Sequence, residues 1–122
     1  MAATIHDNVF DAALTVISGN GDEVLILSGA AADYTTATTN KLGAKASPGY
    51  DAIADGTSGR KLVLQAITNG SVTATGTATH FAITNGTDTV YVCQELSASQ
   101  GVTSGNTFTL TACTIQLSDP TA

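Results

Sequence analysis

Tryptophan is absent from this 122-residue chain, and aromatic mass is limited to three Phe and three Tyr. A core must therefore be assembled from Val, Ile, Leu and Ala, and it will be thin. A thin core in a small domain leaves little stability in reserve, which is a first sign that partner chains contribute. Basic charge is equally scarce. Four Lys and Arg stand against ten Asp and Glu, a formal net charge of −6. The largest basic cluster is the pair Arg60-Lys61. Such a chain has no means of gathering phosphates, so neither nucleic acid nor an anionic membrane is an expected partner. Long apolar runs are missing too, which leaves nothing that reads as a transmembrane span.

The start of the chain, Met1-Ala-Ala-Thr-Ile-His6, lacks the basic and then apolar segments of a signal peptide. Synthesis in a bacterial-type cytosol, without export by that route, is the expectation. Two cysteines, Cys93 and Cys113, are too few for a disulfide framework. Each lies in a strand-like run and reads as a small buried hydrophobe, with a bridge between neighbouring strands as the alternative.

Chemistry-bearing patterns are missing as well. His6 and His80 have no second His or Cys at metal-ligand spacing. Asp51-Ala-Ile-Ala-Asp55-Gly56 lacks the alternating oxygen ligands and closing Glu of a calcium loop. Ile17-Ser18-Gly19 lacks the first Gly of a nucleophile elbow, and neither a phosphate loop nor a dinucleotide fingerprint occurs. The sequence therefore predicts no enzyme, no cofactor and no metal site.

What the chain does hold is threonine in alternation: Thr73-Ala-Thr75-Gly-Thr77-Ala-Thr79 and Thr107-Phe-Thr109-Leu-Thr111. β-Branched residues lose little by being extended and pack well on a pleated surface. The length fits a single domain, 1–122. One N-terminal helix is predicted over 4–18, with Ile5, Val9, Ala13 and Val16/Ile17 at helical spacing and Phe10 and Leu14 flanking the same face. Thr4 and Asp7 resemble a capping box, and Gly19-Asn20-Gly21 supplies left-handed backbone to stop the helix. A first strand is expected at 23–28 and a long irregular loop over 29–59. Antiparallel strands should fill 60–117, with tight turns at Asn69-Gly70 and Asn85-Gly86. Phe108 and Leu110 face one way, Ile115 and Leu117 the other. That phase switch near Ala112-Cys113 implies a bulge or a strand that changes sheets. The fold class is mainly β, a small antiparallel β-sandwich or jelly-roll-like domain with one N-terminal α-helix.

Four blocks carry a further signal: His6-Asp-Asn-Val-Phe-Asp-Ala-Ala-Leu14, Asp55-Gly-Thr-Ser-Gly-Arg-Lys61, Gly70-Ser-Val-Thr-Ala-Thr-Gly-Thr-Ala-Thr-His80 and Glu95-Leu-Ser-Ala-Ser-Gln-Gly-Val-Thr-Ser-Gly-Asn-Thr-Phe108. Together they resemble a family of small structural proteins of tailed bacteriophages. The resemblance implies a virion component, first of all a capsid cement or decoration protein. Such a protein sits as a trimer on the outer shell and bridges neighbouring major capsid protein subunits. Gly29-Ala-Ala-Ala32 departs from the family pattern, where that stretch is more polar and bears proline. A tail or head–tail connector protein is the alternative within the same class. A carbohydrate-binding adhesion module, with Tyr34, Tyr50 and Tyr91 as its platform, is the alternative outside it. For a capsid contact the candidate interface residues are Tyr34, Tyr50 and Arg60, because aromatics and Arg dominate interface energetics. Contacts are expected from the long loop and the N-terminal segment. The competing reading of the tyrosines is that they pack the loop onto the sandwich.

Overall fold

The computed structural model describes residues 5–56 and 59–118. It is mainly β, with a curled six-stranded antiparallel sheet, a three-stranded sheet and two helices in a small sandwich-like arrangement. In chain order the elements are α1 (Asp7–Asn20), β1 (Glu23–Leu27), α2 (Tyr34–Asn40), β2 (Lys41–Ala46), β3 (Ala54–Asp55), β4 (Arg60–Leu64), β5 (Ile67–Val72), β6 (Gly76–Thr84), β7 (Val90–Val102), β8 (Thr107–Leu110) and β9 (Cys113–Leu117). The large sheet runs β7-β6-β1-β2-β5-β8 and the small one β3-β4-β9.

β1 is central in the large sheet, paired with β2 and β6. Four of its five residues are fully buried, which is why it reads as an unbroken apolar run. Val24 and Ile26 face the main core, which they share with Leu14 of α1, Leu62 and Leu64 of β4, Phe81, Phe108 and Ile115. Leu25 and Leu27 face the opposite side, where Ala31, Ala37 and Ala82 form a second, smaller cluster beneath α2. At β1 the sheet is thus covered on both faces.

The irregular loop expected over 29–59 is corrected by this arrangement, because it holds α2, β2 and β3. α2 has only seven residues, five of them Thr or Asn, so it shows no amphipathic period and has weak intrinsic propensity. It is held instead by Asp33, whose Oδ1 accepts from the Thr36 amide at 2.7 Å, and by Ala37, fully buried on the sheet. β2 looks polar in sequence, yet strand partners on both sides secure it.

Two turn assignments diverge. Asn85-Gly86 forms the connection between β6 and β7, with Gly86 at φ +76° and Asn85 Oδ1 accepting from the amides of Thr87, Asp88 and Thr89. Asn69-Gly70 makes no turn. It lies inside β5, where Gly70 is opposite Phe108 and a Cβ would run into the ring. Glycine is there for close approach. The phase switch near Ala112-Cys113 is a change of sheet, since β8 closes the large sheet and β9 joins β4.

α1 runs on to Asn20 and ends with Gly21 at a negative φ of −77°, so no left-handed residue is used. Its N-cap is His6, whose Nδ1 accepts from the Asn8 amide at 3.1 Å. Thr4, expected to cap the helix, lies outside the described residues.

Candidate interaction surface

The apolar residues at helical spacing divide between two sides of α1. α1 buries Phe10 and Leu14, with Ile17 packed against the same core. Val9 is 58% exposed and Val16 48% exposed, and Ala12 and Ala13 between them are exposed too. With Ile5 just before the helix, these are the exposed large aliphatics among the described residues. They recur at spacings of four and seven, which places them on one side of the helix next to its buried side. More than half of the helix circumference is therefore apolar, and half of that faces outward.

Arg60 fixes this helix to the sheet. It begins β4 on the side that also carries Leu62 and Leu64, and its Nε donates to Asp11 Oδ1 of α1 at 2.8 Å. Its Nη1 donates to Asp55 Oδ1 of β3 at 2.7 Å. The two carboxylates raise the guanidinium pKa further still, chiefly through the hydrogen bond to Asp11. The Arg60 side chain keeps 20% exposure and Asp55 keeps 82%, so the Asp11 limb is the more enclosed of the two.

Tyr50 approaches the same helix from its other end. Its hydroxyl donates to the carbonyl of Gly21 at 2.8 Å, and its ring packs against the main core. Burial, with a smaller contribution from the charge of Asp22, pushes the phenol up to about 12. Tyr34 lies apart from both, at the start of α2 on the opposite face of the large sheet, and is half-buried. The structure thus brings Tyr50 and Arg60 to opposite ends of α1 and leaves Tyr34 elsewhere.

The other candidate groups are engaged within the chain. Asp51 accepts from Gln65 Nε2 at 2.9 Å, and Asp55 is held by Arg60. His80 Nδ1 lies 2.8 Å from Thr79 Oγ1. Among the described residues no group of three or more His, Cys, Asp or Glu converges as a metal site. Cys93 and Cys113 are free thiols on opposite sides of the large sheet, the first against the α2 cluster and the second against the main core. That placement rules out the bridge between them. Burial raises the Cys113 pKa. Among the described residues no helix is long and apolar enough to cross a membrane.

The outward stripe of α1 was the part of the surface hardest to read from sequence. Periodicity locates an apolar arc but does not say which half of a wide arc meets the sheet. The usable signal was Asp11, which must sit beside the buried half to reach a cation on β4. No family model, curated protein or solved structure matches the chain.

Proposed function

We propose that this chain is a structural subunit that acts by lying against other protein subunits, and specifically a virion protein of a tailed bacteriophage that cements the outer surface of the major capsid shell. The observation that carries the reading is the outward apolar face of α1, with Val9 and Val16 half-exposed or more on a helix clamped in place by Arg60. Both side chains are already about half covered, so covering the rest recovers roughly half of the 1.5–3 kcal/mol that full burial of such a side chain gives. A neighbouring subunit recovers that stabilisation. The charges of α1, Asp7 and Asp11, lie off the stripe, so an apolar partner meets no ion that must be desolvated. The resemblance of the four sequence blocks to small phage structural proteins gives the partner its name, the major capsid protein, and trimers on the shell are the form it implies.

The test is stoichiometry. Quantitative mass spectrometry of purified particles should give a copy number in fixed ratio to the major capsid protein, saturable on adding more of the chain to stripped shells. A Val9→Ser/Val16→Ser chain should bind those shells at least tenfold more weakly. A handful of copies per particle would move the chain to a tail or head–tail connector position. Its absence from particles would overturn the reading.

A further inference from the structure

The two outermost strands of the large sheet, β7 and β8, are brought together by its curl. An open cleft of about 440 Å³ lies between them, walled by Gln94 to Gln100 on one side and Thr109 to Cys113 on the other, with Phe81 at its floor. One wall is continuous backbone of the edge strand β7; the other is Thr109-Leu110 at the open edge of β8, followed by the connection that leads into β9. Each edge strand satisfies its inner neighbour and leaves alternate N–H and C=O groups pointing away from it.

β7 carries a surplus of such groups. Ala78 is in register with Gln100 and His80 with Glu95, so Leu96 to Ser99 stand opposite Thr79 alone. One residue offers one N–H and one C=O, and it cannot pair four. The bulge turns that backbone away from β6, and Ser97, Ala98 and Ser99 are exposed on it. The side chains along both walls are uncharged except Glu95.

We propose that this cleft receives an extended segment of a different protein chain, which adds as a strand between β7 and β8. The unpaired backbone of β7, facing the short open edge of β8, is matched by a third strand and by no compact ligand. Phe81 at the floor selects an apolar side chain on the inserted segment, and Glu95 on the rim selects one Lys or Arg. A second copy of the chain does not fit this requirement. Its four cations, Lys41, Lys45, Arg60 and Lys61, lie on β2 and β4, each flanked by strands on both sides. The inference is independent of the α1 face and of the capsid reading, because it needs only the sheet edges.

The experiment is an array of random acetylated seven-residue peptides probed with the purified protein. The strongest binder is then titrated by fluorescence anisotropy and mapped by amide hydrogen exchange. Binders should alternate apolar and polar residues around a single Lys or Arg. New protection should appear on both Gln94–Gln100 and Thr109-Leu110. Methylating alternate backbone nitrogens of the peptide should weaken binding at least tenfold while leaving the protein unaltered. Glu95→Gln should lower affinity for the basic peptides severalfold, and Ala98→Pro should abolish binding at an unchanged melting temperature. An array without binders, undiminished affinity for the methylated peptide, or protection confined to α1 or to one wall would each overturn the proposal.

Discussion

Tyr50 reaches back 29 residues to donate its phenol hydrogen to the carbonyl of Gly21, 2.8 Å away, and so ties the segment before β3 to the end of α1. Because the phenol is raised from 10.0 to about 12, the folded chain holds this proton more tightly than the unfolded chain does. The contribution to stability is complete below pH 10. It is lost as the pH climbs from about 10 through about 12, where the unfolded state has already released the proton. Tyr50→Phe should remove that part of the slope. Urea midpoints of the two chains between pH 9 and pH 11.5 measure it, with the wild-type advantage shrinking toward the alkaline end.

Arg60 makes two ion pairs, and they should differ in worth. Asp55 is largely in water, where an ion pair adds little to stability. Asp11 is partly covered and holds α1 itself. Asp11→Asn and Arg60→Met should therefore lower the melting temperature clearly, and Asp55→Asn should barely move it. Raising salt to 1 M should narrow the difference between wild type and Arg60→Met, since exposed pairs are screened. Equal effects of the two carboxylate substitutions would mean that the clamp on α1 is not what Arg60 supplies.

What could be seen in the sequence was what local chemistry decides. β1 showed itself as an apolar run, and Asn85-Gly86 showed itself as a turn because Asn85 caps three amides within four residues. The change of sheet after Leu110 was visible as a change of phase. What stayed hidden depended on distant residues. Asn69-Gly70 has the same letters as Asn85-Gly86, but its glycine answers to Phe108, 38 positions on, rather than to a turn. β2 needed β1 and β5 as neighbours before its mixed residues made sense. The cleft between β7 and β8 could not be read at all, since it exists only once the sheet has curled. For the α1 surface, the arc was legible but its orientation was not.

That orientation can be tested by treating the two sides of α1 separately. Leu14 is fully buried, and Leu14→Ala should cost about 2–5 kcal/mol from lost packing and the cavity left behind. Val16 is 48% exposed, and Val16→Ser should change monomer stability by no more than about 0.5 kcal/mol, aside from a small loss of helix propensity. Chemical denaturation of dilute protein measures both. A large loss for Val16→Ser would show that the outward face is already covered in solution, and sedimentation at rising concentration would then identify a self-associated form.

Gly70 and Phe108 offer the sharpest check on the packing of the sheet. Phe108 is 2% exposed, and its ring lies directly over the Gly70 backbone, where an added Cβ would run into Cε1 and Cζ. No rotamer change at residue 70 relieves this contact, because Cβ is fixed by the backbone. The ring must move instead, and it is held in the main core. Gly70→Ala should thus destabilise by about 1–3 kcal/mol through overpacking. Alanine's more restricted unfolded chain offsets only about 0.4–1 kcal/mol of that. Phe108→Leu alone should also destabilise, through a partly empty site. In the double substitution the smaller Leu vacates the space that the new methyl needs, so the two losses should sum to more than the measured total. A coupling energy of about 0.5 kcal/mol or more of that sign, from a urea double-mutant cycle, is the expected outcome. Strict additivity would mean that β5 shifts away from β8 to accept the methyl. The register of Gly70 against Phe108 would then be a loose pairing rather than a fixed contact.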